Sequence, residues 1–326
     1  MKRLERYRGL IVFALVFLVG CLFTPKLAGT SVPVFLTWRT QKDILYEYSE
    51  YGLLATGMTL VILVGGIDLS VGSVLGLTAT LFALLTVGHG WGIGPSVLAV
   101  LAVGLAVGLL NGILVSRFRL QPFVATLATM TAARGLAKVV TGGAKVQPGA
   151  APWYALTGDT PEFFAWMTRT VPGIGLPPAA LLFLIALAVT ALIVNRTIFG
   201  RHVYAVGGNE EASRLAGIPV TRVKLVTYAA CAGLAALAGV VNACRQDLGD
   251  PEAGATFELD AIAAVVIGGT SLQGGRGGVW LTLLGVLIVA YINKILSLNA
   301  LPLGPRMILQ AAIIVVAVAL QRKKAA

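Results

Sequence analysis

The stretch GMTLVILVGGIDLSVGSVLGLTATLFALL, residues 57–85, decides the fold of this chain. Two apolar runs flank the segment GGIDLSVG, residues 65–72, which holds two adjacent glycines and one carboxylate. A break of this kind inside lipid is tolerated only where protein or a water-filled cavity covers it. Three interpretations compete for GGIDLSVG: a loop, a helix cap made by Asp68 or Ser70, and part of a functional site.

Composition extends this pattern to the whole molecule. Of the 326 residues, 57% are hydrophobic and 12% are charged, whereas soluble domains carry about 25% charged residues. The mean hydropathy is +0.87. The net charge of +11 comes from short basic clusters between apolar runs, which is typical of membrane-protein loops and argues against nucleic-acid binding. The sequence therefore predicts an all-α polytopic membrane protein.

About ten transmembrane helices are predicted, because a span needs about 20 mostly apolar residues. Two features indicate broken or re-entrant helices: the interruption at GGIDLSVG and the short eighth candidate, residues 258–270. The candidates lie near residues 10–24, 50–66, 70–87, 95–115, 122–141, 177–195, 222–243, 258–270, 278–297 and 303–320.

The basic residues predict the orientation. With both termini in the cytoplasm, 15 of the 25 lysines and arginines fall in inside loops and six in outside loops, as the positive-inside rule requires. The first apolar segment is interpreted as a retained helix, with a cleaved signal peptide as the alternative. Acids cluster on the other side and predict an acidic outer surface, which includes Asp43, Glu47 and Glu50.

The largest predicted cytoplasmic loop covers residues 196–222, and a short helix is expected at about 209–218. Asn209 can cap it, Glu210 and Glu211 suit the positive end of its dipole, and Gly217 can close it. Leu215 and Ile218 give it a small apolar face. Such a helix either lies on membrane lipid or docks in a groove of another protein.

Polar residues within the apolar runs are the candidates for a translocation pathway. They are Thr56, Thr59, Asp68, Ser70, Asn111, Asn242 and Asn293. Hydrogen bonds between helices and helix capping are the competing roles for these side chains. No nucleophile–base pair or metal-ligand cluster is apparent, so no catalytic or metal site is predicted. A phosphate-binding loop of the Walker type is also missing from the sequence.

Four segments resemble, in the same order, the ABC importer permeases of the ribose-type monosaccharide family. They are GMTLVILVGGIDLSVGS (57–73), NGILVSRFRLQPFVATLATMTAARG (111–135), GGNEEASRLAGIPV (207–220) and FELDAIAAVVIGGTSLQGGRGG (257–278). The resemblance implies a single permease domain over residues 1–326 with a vitamin B12-importer-like fold. It also implies a location in the bacterial inner membrane.

The resemblance further implies a role and partners. The chain would be the transmembrane subunit of a bacterial importer for a monosaccharide: a pentose, a hexose or a cyclitol. ATP and Mg would bind on a separate ATPase subunit, leaving no cofactor on this chain. A periplasmic sugar-binding protein and a second permease copy, identical or similar, would complete the assembly. The ATPase-coupling residues implied are Asn209, Glu210, Glu211, Ala212, Arg214, Leu215, Ala216, Gly217 and Ile218.

The alternative is a secondary sugar transporter driven by an ion gradient. That mechanism needs buried, paired ionisable groups. Asp68 is the only acid well inside the apolar runs, and Asp260 lies near the end of one. The ATP-driven importer is therefore the favoured prediction, and the identity of the sugar stays open.

Overall fold

A computed structural model describes residues 8–148 and 160–312, apart from residues 303, 307 and 310. Helices make up nearly all of the regular structure in these ranges. They are α1 (Arg8–Phe23), α2 (Trp38–Glu47), α3 (Ser49–Leu63), α4 (Val71–Ala83), α5 (Ile93–Ser116), α6 (Pro122–Thr141), α7 (Glu162–Thr168), α8 (Pro178–Arg196), α9 (Ile198–Gly208), α10 (Glu210–Leu215), α11 (Val220–Gln246), α12 (Phe257–Gly268) and α13 (Val279–Leu298).

Helices occupy nine of the ten predicted apolar positions. Six helices in the described ranges are long and apolar enough to cross a membrane: α4 with the π-helical turn that extends it to Gly88, α5, α6, α8, α11 and α13. The helices α1, α3 and α12 are shorter, with 16, 15 and 12 residues. The tenth position, 303–320, falls mostly on residues outside the described ranges. The all-α character is confirmed, and the number of spans stays a prediction.

The centre of the molecule is α11, which packs against α3, α4 and α5. Small residues make this packing close. Gly104, Gly108 and Gly112 recur every four residues on α5, and each faces the backbone or a small side chain of α11. A Cβ atom on Gly104 would lie 2.6 Å from the Cβ of Ala236, and one on Gly112 would lie 2.8 Å from the Cα of Leu225. Close backbone approach of this kind is how membrane helices associate without a hydrophobic driving force.

Apolar side chains also cover the outside of the helices. Leu98 on α5, Val139 on α6 and Leu192 on α8 are 70%, 74% and 61% exposed. Large aliphatic side chains at this level of exposure suit contact with hydrocarbon rather than with water. The exposed faces of α5, α6 and α8 are therefore suited to contact with lipid.

Three helices lie where the sequence predicted loops. The helix α2 is amphipathic and buries Thr40 and Ile44, and Thr37 caps it by accepting a hydrogen bond from the Thr40 amide at 3.3 Å. The helices α7 and α9 were also missed. All three are shorter than a membrane span, with polar residues in α2 and α9, so a search for apolar runs passes over them.

Candidate functional site

The residues predicted to couple to an ATPase form a compact helical unit. The helix α9 ends at Gly208, and α10 follows immediately as Glu210–Leu215. The Asn209 side chain caps α10 by accepting a hydrogen bond from the Ala212 amide at 2.9 Å. Gly217 takes the left-handed conformation that ends it, with φ at 79°. The predicted cap and closure are confirmed, but the loop 196–222 is more helical than expected because α9 occupies 11 of its 27 residues.

Ion pairs fasten α10 to the body of the protein. Glu210 accepts from Arg214 at 3.0 Å and from Lys224, at the start of α11, at 2.6 Å. The Lys224 side chain is only 12% exposed, so its pair with Glu210 is better shielded from water than an ordinary surface pair. Glu210 therefore holds α10 in place, and its predicted contact with an ATPase stays a prediction.

Much of α10 and of the turn after it is open to solvent. Glu211, Ala212, Arg214, Ala216 and Gly217 are exposed, and Ile218 is half-buried against the main core. Leu215 is 83% exposed, the most of any large apolar side chain in the described ranges. An apolar side chain on an exposed helix can anchor that helix in a groove on another protein.

The end of α9 lies against two breaks between apolar helices: the end of α3, just before GGIDLSVG, and the glycine-rich turn 269–278 between α12 and α13. A Cβ atom on Gly207 would fall 2.7 Å from the Gly275 nitrogen and closer still to the Leu63 carbonyl oxygen. The Gly275 amide donates to that same Leu63 oxygen at 3.0 Å. We call this meeting of residues 63–66, 207–208 and 274–275 the glycine junction.

Two further contacts complete the glycine junction. Gly274 has a φ of 81°, and a Cβ atom there would lie 2.7 Å from the Gly207 oxygen and 2.9 Å from the Gly65 nitrogen. Tyr204 on α9 donates its hydroxyl to the Gly277 carbonyl oxygen at 3.0 Å. Burial raises the pKa of Tyr204 above its ordinary value, which keeps that donor protonated. Main-chain atoms of the three segments of the glycine junction thus pack directly on one another, next to α10.

Within GGIDLSVG, the two glycines end α3 and Asp68 organises the start of α4. Gly65 has a φ of 80°, and its amide donates to the Ile62 carbonyl at 2.9 Å. One carboxylate oxygen of Asp68, Oδ1, accepts from the Ser70 amide at 2.9 Å and from the Ser70 hydroxyl at 2.6 Å. Ser70 itself makes no capping bond. Asp68 is therefore the residue that fixes the first turn of α4.

A buried polar cluster surrounds Asp68. Asn111 on α5 donates to the Ser70 hydroxyl at 2.9 Å, and its own oxygen accepts from Thr129 on α6 at 2.7 Å. Thr126 accepts from the Leu69 amide at 3.1 Å. The cluster joins α4, α5 and α6 in a place closed to solvent, since Asp68, Ser70 and Asn111 are each 0% exposed.

The other predicted pathway residues lie apart from this cluster. Thr56 donates to the Gly52 carbonyl at 2.7 Å, and Thr59 bonds the Thr282 hydroxyl at 2.5 Å. Asn242 donates to Glu50 at 2.7 Å. Asn293 is half-buried and donates to the Val289 carbonyl at 3.1 Å. A pathway role for these residues stays a prediction.

The predicted acidic outer surface needs correction. Glu50 is 0% exposed and pairs with Arg245 at 2.5 Å. Glu47 pairs with Lys294 at 2.8 Å, and Asp250 pairs with Lys145 at 2.9 Å. Basic residues of the same chain neutralise much of the acidic cluster because the fold brings distant segments together. The sequence could not reveal these pairs, since their partners are 105 or more positions apart.

Apolar helices with lipid-facing sides, breaks covered by protein and an exposed capped helix together define a multi-pass membrane transport protein. A model of the family described as "Branched-chain amino acid transport system / permease component" matches residues 42–318. The chain belongs to this family.

Curated relatives are sugar permeases. The ribose import permease protein RbsC of Escherichia coli (strain K12) is 39% identical over 307 residues, covering 94% of this chain and 93% of the relative. RbsC of Bacillus subtilis (strain 168) is 39% identical over 328 residues, covering 100% and 94%. The xylose transport system permease protein XylH of Escherichia coli (strain K12) is 33% identical and covers 88% of each chain. The resemblance to ribose-type permeases is confirmed, and the chain is a multi-pass protein of the bacterial inner membrane.

Proposed function

We propose that this chain is the transmembrane subunit of an ATP-binding-cassette importer that carries a monosaccharide inward, driven by a separate ATPase subunit. The observation that carries the proposal is the position of α10. Its exposed face is free to receive a partner, while the end of α9 next to it touches both breaks through the glycine junction. Relatives named as ribose, fructose and xylose permeases support a monosaccharide substrate, and the choice among a pentose, a hexose and a cyclitol stays open.

In this proposal the ATPase subunit receives α10 in a groove. Leu215 is the apolar anchor, with Ala212, Ala216 and Gly217 beside it. Glu211 and Arg214 at the rim select the partner by charge. Asn209 and Glu210 act on the permease side, because the first caps α10 and the second is tied to Lys224.

The remaining partners follow from the same role. A periplasmic sugar-binding protein delivers the substrate, and a second permease copy, the same or similar, completes the pathway. ATP and Mg bind to the ATPase, and this chain carries no cofactor. Both termini are proposed to lie in the cytoplasm, with about ten spans in a vitamin B12-importer-like arrangement. The junction would pass movement of the ATPase to the segments that interrupt the spans.

Reconstitution tests the function. The chain, its ATPase and its binding protein are placed in liposomes, and uptake of labelled D-ribose and D-xylose is measured with Mg and ATP. We expect uptake that needs all three proteins and stops when the ATPase is replaced by a variant unable to hydrolyse ATP. Uptake driven by a proton or sodium gradient without the ATPase would instead establish the ion-coupled transporter.

A further inference from the structure

A cavity of about 130 Å³ opens between α3, α12 and α13. Its polar lining comes from four side chains: Tyr48 and Tyr51 at the start of α3, Asp260 on α12 and Asn293 on α13. Ala264, Val286 and Val289 supply apolar walls. A concave site with mainly apolar walls and a few convergent polar groups is the usual form of a small-molecule site.

Asp260 has no hydrogen bond or ion pair with any residue in the described part of the chain. Glu47, Glu50, Asp250 and Glu252 all pair with basic side chains, whereas Glu258, two residues before Asp260, forms no ion pair in the described ranges either. Asp260 is half-buried on a helix of mainly apolar residues, where an ionisable group without a partner is costly to keep. Its carboxylate is free to accept hydrogen bonds from a molecule in the cavity.

The two tyrosines belong to a ring cluster that fixes them in place. The centroids of Tyr48 and Tyr51 are 5.3 Å apart, and those of Tyr51 and Phe257 are 4.2 Å apart with the rings 31° from parallel. The face of an aromatic ring carries partial negative charge. It therefore suits the polarised C–H groups on the apolar face of a sugar ring.

We propose that this cavity is a transient binding site for one monosaccharide on its way through the permease. The Asp260 carboxylate accepts hydrogen bonds from two neighbouring hydroxyls, Asn293 donates to or accepts from a third, and the tyrosine rings cover the C–H face. Asp260 lies in the first turn of α12, which has 12 residues, and secondary transporters likewise build substrate sites at the ends of discontinuous helices. This inference rests on the proposed importer function and assigns a binding site within the permease to the imported sugar.

Charge removal at Asp260 is the first test. In the reconstituted system, Asp260→Asn is expected to lower sugar uptake tenfold or more, while hydrolysis of ATP stimulated by the binding protein stays within twofold of wild type. Tyr51→Leu is expected to act in the same way. The control is Glu252→Gln, which removes an exposed acid paired with Lys138 and should leave uptake unchanged. Normal uptake by Asp260→Asn and Tyr51→Leu would overturn the site, whereas failure of the wild type to use ATP would overturn the importer function.

Thiol protection is the second test and needs no turnover. Ala264→Cys is made in a background that lacks Cys21, Cys231 and Cys244, and Ala263→Cys is the adjacent control outside the cavity lining. D-ribose or D-xylose at high concentration should slow modification of Cys at 264 by a methanethiosulfonate reagent threefold or more, and sucrose should not. The control at 263 should not respond to sugar.

Three outcomes of this labelling would overturn the sugar site. A thiol at 264 that never reacts shows that a solute in water does not reach the cavity. Equal reaction with and without sugar shows that no sugar binds there. If sodium ions slow modification of the thiol at 264, while choline and sugar do not, Asp260 binds a cation instead of a sugar.

Discussion

The carboxylate of Glu50 binds the guanidinium of Arg245 at 2.5 Å, although 195 residues separate them in the chain. The pair fastens the beginning of α3 to the end of α11, and Asn242 adds a hydrogen bond of 2.7 Å to the second carboxylate oxygen. Glu50 is wholly buried, and the Arg245 side chain is 28% exposed. Both groups are thus fixed at one end of the central helix.

Removal of one member of this pair should destabilise the protein. Arg245→Met leaves a buried carboxylate without its cation, which costs about 3 kcal/mol. The loss is measured as a lower thermal unfolding midpoint of the purified protein in detergent. The double variant Glu50→Gln, Arg245→Met should recover part of the stability, because no charge is then left unpaired and the Gln oxygen can still accept from Asn242. Equal midpoints for wild type and Arg245→Met would contradict the assigned role.

Adjacent glycines on α9 should respond differently to the same small change. Gly207→Ala places a methyl group into the Leu63 carbonyl and the Gly275 nitrogen, whereas Gly208→Ala meets no atom within 4 Å. We expect Gly207→Ala to lower the unfolding midpoint, because backbone must shift to admit the methyl group, and the complexes that form with the ATPase to transport at least tenfold less sugar per ATP. Gly208→Ala should match wild type. A normal amount of sugar transported per ATP by Gly207→Ala would show that the glycine junction does not transmit the movement of the ATPase.

The exposed face of α10 gives a prediction about assembly. Leu215→Asp removes the apolar anchor without touching the core, because Leu215 is 83% exposed. We expect the affinity for the ATPase subunit to fall tenfold or more, in a pull-down or by light scattering, with the unfolding midpoint unchanged. Thr221→Asp, at an exposed position just after α10, serves as the charge control. An ATPase that binds Leu215→Asp as tightly as wild type would place the contact elsewhere.

Substitutions of Asp68 distinguish a structural role of its hydrogen bonds from a role of its negative charge in transport. Asp68→Asn keeps an oxygen that accepts from Ser70, so we expect sugar uptake within threefold of wild type. Asp68→Ala leaves the buried Ser70 amide unsatisfied, at a cost of about 1–3 kcal/mol for that group. Its unfolding midpoint and uptake should both fall. Loss of uptake in Asp68→Asn with normal stability would point instead to a role for the negative charge.

The positions of the apolar helices were predictable because membrane-sized apolar runs leave a strong signal in the sequence. The cap of α10 was also predictable, since Asn209, the acids after it and Gly217 are local features. The helices α2 and α9 were not, because they are short and carry polar residues. Tertiary packing, which stabilises them, leaves no comparable local pattern.

The relationships between distant segments were the hardest to foresee. Nothing in the sequence indicated that Gly207 would lie between Leu63, at the end of α3, and Gly275, in the turn before α13. The same applies to Asp260, which drew attention only as an acid near a helix end. Its place beside two tyrosines and Asn293 depends on how α3, α12 and α13 pack.

The glycine junction also bears on how such a permease changes its partner over evolution. Its contacts are made mainly by main-chain atoms, which every sequence shares, whereas the outward face of α10 is made of side chains. Recognition of the ATPase by side chains and transmission of its movement by main-chain atoms are therefore separable properties of one short segment. We expect that a graft of residues 209–218 from a relative would bring that relative's ATPase preference with it and leave the transmission of movement intact.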